Sequence, residues 1–154
     1  MEPPTVFQMR LVVEADDYDE AVRFYRDVLG LPEEAAFEGE GDARVTILDA
    51  GRATLEIANP AQKRLIDDVE VGRQVAPKMR VAFEVADSAA TTDKLVSAGA
   101  ELIAAPRETP WRSLNSRLSA PAGLQLTVFQ ELETSEERSS GAGIATDGSG
   151  VGDT

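Results

Sequence analysis

The chain reads as a single α+β domain built from two β-α-β-β-β modules, and three observations predict it. Helical segments are marked by caps at Asp17 and Asn59 and by glycine stops at Gly30 and Gly99, short strand-like runs are parted by Gly/Asp turns, and the whole pattern restarts at a shift of 70 residues. Met9-Arg10, Glu14 and Asp17 recur as Met79-Arg80, Glu84 and Asp87, each set in an apolar run that leads into a helix.

Thr5 to Glu14 is rich in β-branched and large apolar residues without Gly or Pro, which predicts a strand that breaks at Asp16-Asp17. The helix that follows opens on an Asp17-x-x-Glu20 capping box, repeats apolar residues at Ala21, Phe24/Tyr25 and Val28, and stops at Gly30 and Pro32. Glu33 to Glu38, Arg44 to Leu48 and Ala53 to Ala58, separated by Gly/Asp turns, predict an antiparallel meander. Asn59-Pro60 predicts a capped connecting helix over Pro60 to Asp67, then a loop through Pro77. In the second half, a helix over Ser88 to Ala98 ends at Gly99, and Glu101 to Ala104, Asn115 to Ser119 and Leu124 to Gln130 are strands. One domain over residues 1–132 is therefore expected, with module 1 at about 5–59, a linker helix and loop at 60–77, and module 2 at about 78–132. Residues 133–154 exchange the apolar pattern for Ser, Gly, Thr and acids, the composition of a disordered tail.

Composition excludes several functions. The net charge is -13, and the body without the tail remains acidic, so no basic footprint for nucleic acid exists. There is no Cys, which removes disulfides, thiolate catalysis and zinc-thiolate sites, and there is no His, which removes the usual transition-metal ligand and general base. No apolar run approaches the ~18–20 residues that span a bilayer, and Met1-Glu2-Pro3-Pro4 lacks the basic start of a secretory signal, so the expected location is the cytoplasm.

Paired β-α-β-β-β modules, with a first helix reading Phe24-Tyr25-Arg26-Asp27-Val28-Leu29-Gly30-Leu31-Pro32, resemble the vicinal-oxygen-chelate superfamily of glyoxalase I, bleomycin-resistance proteins and extradiol dioxygenases. The likeness covers about residues 6–131. It implies a mixed sheet curled around a cleft, the glyoxalase/bleomycin-resistance fold, and a homodimer. Metal-dependent members place ligands at four strand positions, and by this resemblance those positions fall on Arg10, Glu56, Arg80 and Thr127. Two guanidiniums in one shell repel a divalent cation, so the expectation is no metal and no cofactor, with glyoxalase and dioxygenase activities not carried over.

On this alignment the four side chains face one cleft and form a polar clamp for an anionic group, because Arg engages two oxygens at once. The alternative is that Arg10 and Arg80 merely pair with Glu56, Glu14 or Glu84. Trp111-Arg112, near Asn115 and Arg117, resembles the segment that closes over the cleft in relatives. Trp111 then stacks on a planar ligand and Arg112 covers its charged end, or else Trp111 seals the core or a dimer contact. Phe37, Phe83 and Phe129 are assigned to the core. The leading functional expectation is metal-independent binding of a small molecule, sequestering an antibiotic or an aromatic or anionic metabolite. The competing one is a metal-independent isomerase or lyase with Glu56 as base and Arg10 or Arg80 stabilising an enolate-like charge. A vestigial cleft serving only assembly is the third.

Overall fold

A four-stranded sheet in the order β3-β6-β5-β4 forms the centre of the computed structural model, which describes residues 8, 10–54, 56 and 58–133. Its strands are β3 (Val81–Glu84), β4 (Glu101–Glu108), β5 (Ser113–Ala120) and β6 (Leu124–Glu131). β3 runs parallel to β6, whereas β5 is antiparallel to both β6 and β4. A second, two-stranded sheet pairs β1 (Glu33–Glu38) with β2 (Arg44–Leu48) in antiparallel register. The class is thus α+β with two sheets, as the sequence predicts.

Local chemistry accounts for the helices. α1 (Tyr18–Val22) starts where Asp17 accepts the Glu20 N–H at 3.0 Å, and α3 (Ser88–Ser97) starts where Asp87 accepts the Ala90 N–H at 3.0 Å. The aspartates that repeat at a shift of 70 are therefore the two helix caps. α2 (Pro60–Glu70) is capped by Asn59, which accepts from Gln62 N at 2.9 Å, and runs three residues past the predicted end. α1 continues directly into a π-helical stretch, Arg23–Val28. The wider turn shortens the angular step between neighbours, so consecutive Phe24 and Tyr25 are both buried, packed edge-on with centroids 5.0 Å apart.

The main core lies between the sheet and the α1/α3 layer, where Phe24, Tyr25 and Leu95 meet Leu118, Leu126 and Val128. Two polar ties pin this layer: Tyr25 donates to the Pro121 carbonyl at 2.8 Å, and Thr92 and Ser116 share a 2.7 Å hydroxyl contact. Helix α2 covers the opposite face of the sheet through Asp67 and Glu70. The β1–β2 hairpin attaches to α1 instead: Tyr18 meets Thr46, Arg44 lies 4.4 Å over the Tyr18 ring, and Arg44 pairs with Asp19 at 3.2 Å.

The two modules are unequal. The second forms the complete expected series β3-α3-β4-β5-β6. In the first, the described residues 8 and 10–14 of the predicted opening strand are not in a strand, and neither are Ala53, Thr54, Glu56 and Ala58 of the predicted third meander strand. The rest of those two predictions, residues 5–7, 9, 55 and 57, and the predicted tail over 134–154, lie outside the described residues. Strand propensity needs a hydrogen-bonding neighbour to become a strand, and neither segment is paired in the described sheets. As a result Leu11, Val12 and Val13 are exposed, Val12 to 85%.

Of the three phenylalanines expected in the core, Phe129 is buried and Phe83 packs half-buried against the cluster. Phe37 is 60% exposed, because among the described residues no further layer covers that face of the two-stranded hairpin.

Removing the aromatic at the centre of the α1/α3 layer tests this packing. Phe24→Ala is expected to lower the unfolding free energy by about 3–5 kcal/mol in urea denaturation followed by circular dichroism. A loss under about 1 kcal/mol is inconsistent with a buried Phe24.

Candidate functional site

Strand alternation sorts β5 and β6 into two faces. Ser116 and Leu118 stand opposite Val128 and Leu126 on the α1/α3 side, while Asn115, Arg117 and Ser119 stand opposite Phe129, Thr127 and Gln125 on the α2 side. This second face is polar and yet covered, since Asn115, Arg117 and Thr127 are all fully buried.

Arg117 is the centre of that face. Its Nη2 donates to Glu70 Oε1 at 2.7 Å, Nε reaches the same oxygen at 3.2 Å, and Nη1 donates to Asp67 Oδ1 at 2.9 Å and to Gln125 Oε1 at 2.9 Å. Asn115 Nδ2 donates to the other Glu70 oxygen at 2.7 Å, and Thr127 Oγ1 donates to Glu70 Oε1 at 3.3 Å. Arg80, just before β3, donates from Nη1 to Thr127 Oγ1. Two arginines therefore converge on one carboxylate, Arg117 directly and Arg80 through the Thr127 hydroxyl.

Asp67 is held on its other side by the N–H groups of Val75 and Ala76 at 2.8 and 2.9 Å, and by Lys63 at 3.7 Å. Burial alone would raise its carboxyl pKa. The Ala76 N–H, the Arg117 guanidinium and the Val75 N–H outweigh that and hold it below the ordinary value of 3.8.

Of the residues singled out in the sequence, Arg80 and Thr127 are brought together. Arg10 is exposed and donates to Gln8 at 2.9 Å, and Glu56 is exposed; both sit outside any strand. Trp111 is only 5% exposed, enclosed in the β4–β5 turn, so its ring lies within the protein and not over an open cleft. Arg112 is exposed in the same turn with φ +61°, pairing with Glu108 at 3.2 Å and Glu133 at 3.9 Å. The turn is closed by Thr109, which exchanges backbone and side-chain bonds with Ser113.

The four-position set of Arg10, Glu56, Arg80 and Thr127 does not fit a divalent metal. It offers one carboxylate and one hydroxyl against two guanidiniums, and Arg80 is already turned onto Thr127. Among the described residues no group of three or more His, Cys, Asp or Glu side chains is placed to hold a metal ion.

Sequence reasoning missed Asp67, Glu70 and Gln125, and saw Arg117 only as a neighbour of Trp111. A signal was present: Asn115/Arg117 and Gln125/Thr127 are polar pairs at period two in strands whose alternate residues are also non-charged. Such strands are covered on both faces, and the acids at an i,i+3 spacing in α2 supply the missing counter-charge.

Comparison with known proteins bears on the fold. The family model described as Glyoxalase/Bleomycin resistance protein/Dioxygenase superfamily matches residues 9–128. Among solved structures, the chain is similar to TnmS3, an antibiotic binding protein from Streptomyces sp. CB03234, at 19% identity and TM-score 0.54, covering 84% of this chain and 99% of that one. It is also similar to a member of the same superfamily from Sphaerobacter thermophilus DSM 20745, at 19% identity and TM-score 0.51 over 78% of this chain and 92% of that one. A glyoxalase-related enzyme from Fulvimarina pelagi aligns at 18% identity and TM-score 0.50, over 82% and 89% of the two chains. No curated protein matches the sequence significantly.

The buried ion network predicts two stability effects. Arg117→Met strands two buried carboxylates and is expected to cost about 3–5 kcal/mol in chemical denaturation. Because the folded-state pKa of Asp67 is depressed, its contribution is complete above the unfolded value of 3.8 and is lost as pH falls through the lower folded value. Asp67→Asn should therefore be less stable than wild type near neutrality, and the difference should shrink in acid melts below pH 3.8. A gap that is constant with pH contradicts the assignment.

Proposed function

Since the chain belongs to the Glyoxalase/Bleomycin resistance protein/Dioxygenase superfamily, we propose that it is a metal-independent member that binds a small anionic or aromatic molecule and sequesters it without turnover. The observation that carries this reading is the convergence of Arg117 and Arg80 on a carboxylate at the α2 face of the sheet. A buried guanidinium needs an anion, and a planar fork matches a carboxylate in two-point geometry, so the face is chemically an anion receptor despite the acidic exterior.

In this proposal Arg80 and Thr127 contact the ligand's charged end, with Arg10, Glu56 and Arg112 at the margin; Trp111, buried in the β4–β5 turn, is not among the contacts. The antibiotic-binding activity named for the Streptomyces relative supports sequestration as the class of function. A homodimer and a cytoplasmic setting belong to the same proposal. Exposed Leu11, Val12 and Val13 offer apolar surface to a second copy, and among the described residues no helix is long and apolar enough to cross a membrane.

Native mass spectrometry of protein purified without added ligand tests the reading, reporting subunit number, metal and retained adducts together. Retention of an anionic or aromatic adduct on metal-free protein is expected. Stoichiometric metal overturns metal independence, and chemical conversion of the bound compound replaces sequestration with catalysis. Trp111 is the only tryptophan, so its fluorescence follows titration of a captured ligand. Arg80→Ala should weaken an anionic ligand by about 10- to 100-fold, the loss of one charge-assisted hydrogen bond of about 1.5–3 kcal/mol.

A further inference from the structure

Helix α2 is docked in an unusual way. Its fully buried residues are Ile66, Asp67 and Glu70, while Leu65 is exposed, so two of the three side chains it buries are carboxylates. The α1/α3 layer opposite is held by an apolar cluster. An ion network is an exchangeable attachment, because another anion of the same geometry satisfies the same donors, and buried ion pairs add little net stability over alternatives.

We propose that α2 is an intramolecular competitor for the anion site: Asp67 and Glu70 stand where the two carboxylates of a small dicarboxylate bind, and such a ligand enters by displacing the helix from Arg117. The inference rests on the anion-binding reading above and specifies the ligand class and the control of the same site.

The geometry defines what is exchanged. Asp67 and Glu70 present their carboxylates to two edges of one guanidinium from positions i and i+3, whose Cβ atoms lie about 5–6 Å apart on a helix. A dicarboxylate with a short spacer spans that distance, taking the Nη1 edge with one group and the Nη2/Nε edge with the other. Asn115 and Thr127, which now donate to Glu70, then donate to the incoming carboxylate.

The surroundings let the helix leave as a unit. Val75 and Ala76 bond back to Asp67, and Gln74 bonds to the Arg64 carbonyl and to Asp68, so the loop after α2 is tied mainly to the helix; besides the Arg117 network, the bonds to the sheet that must break include Gln125 Nε2 to the Val75 carbonyl at 3.2 Å and Arg107 Nη1 to the Val69 carbonyl at 3.5 Å. Glu56 and Ala58, before Asn59, lie outside any helix or strand, and Gly72 at φ +88° follows the helix. Arg117 cannot remain buried without a counter-ion, so departure of α2 and arrival of the ligand are coupled. Apparent affinity is reduced by the fraction of molecules in which the helix is docked.

Succinate and malonate are the probes, dimethyl succinate is the neutral control, and the full chain is used. Calorimetry measures affinity, and hydrogen exchange resolved by mass spectrometry follows residues 60–76. The double variant Asp67→Asn/Glu70→Gln is expected to bind succinate at least about tenfold tighter than wild type. Saturating succinate should raise exchange across residues 60–76 in wild type, and dimethyl succinate should do neither. Dicarboxylate binding that leaves residues 60–76 protected overturns the competitor. So does an affinity unchanged by the double substitution. An aromatic compound bound with α2 still protected also overturns the competitor while leaving the small-molecule-binding reading in place. Absence of binding by any probe or purified adduct overturns both. Should the double variant fail to fold once Arg117 lacks its counter-ions, the wild-type exchange measurement decides alone.

Discussion

Arg117 sits in the middle of a sheet with no exposed surface, and the surrounding structure must supply it with negative charge. A buried positive charge needs anions at hydrogen-bonding distance to offset the cost of leaving water. Asp67 and Glu70 provide them, and both come from one helix that contributes little else to the interior. The position of α2, the path of the loop after it and the closure of the polar face all follow from that requirement.

The sheet thus separates two kinds of packing. On one side Phe24, Tyr25 and Leu95 bury apolar surface against Leu118, Leu126 and Val128, which is non-directional and keeps the layer together as a block. On the other, directional bonds from Arg117, Asn115 and Thr127 determine where two carboxylates lie. Function is more easily built on the second kind, because directional donors discriminate between anions by shape whereas an apolar layer does not.

Electrostatics on two length scales also coexist. The chain as a whole is strongly acidic, at -13, and repels anions at long range in a salt-screened way. Within the α2 face the donors lie under 3.5 Å from the carboxylates they hold, where short-range bonds in a water-poor setting dominate over the distant net charge.

What the sequence determined by itself was local. Asp17, Asn59 and Asp87 cap three helices, Gly99 ends α3, and period-two patterning marks β5 and β6, because caps, glycine φ values and alternation depend on residues a few positions apart. The repeat between the halves and the superfamily resemblance were legible for the same reason. Tertiary structure decided the rest. Strand propensity around Leu11–Val13 and Ala53–Ala58 did not become strand in the described residues, since a strand exists only with a partner, and that partner need not be near in sequence. Likewise Asp67 and Glu70 read as ordinary solvent-facing acids of a linker helix. Only the pairing of β5 with β6 places Arg117 beneath them across 50 and 47 residues of sequence, and charge compensation over that separation leaves no local pattern to read.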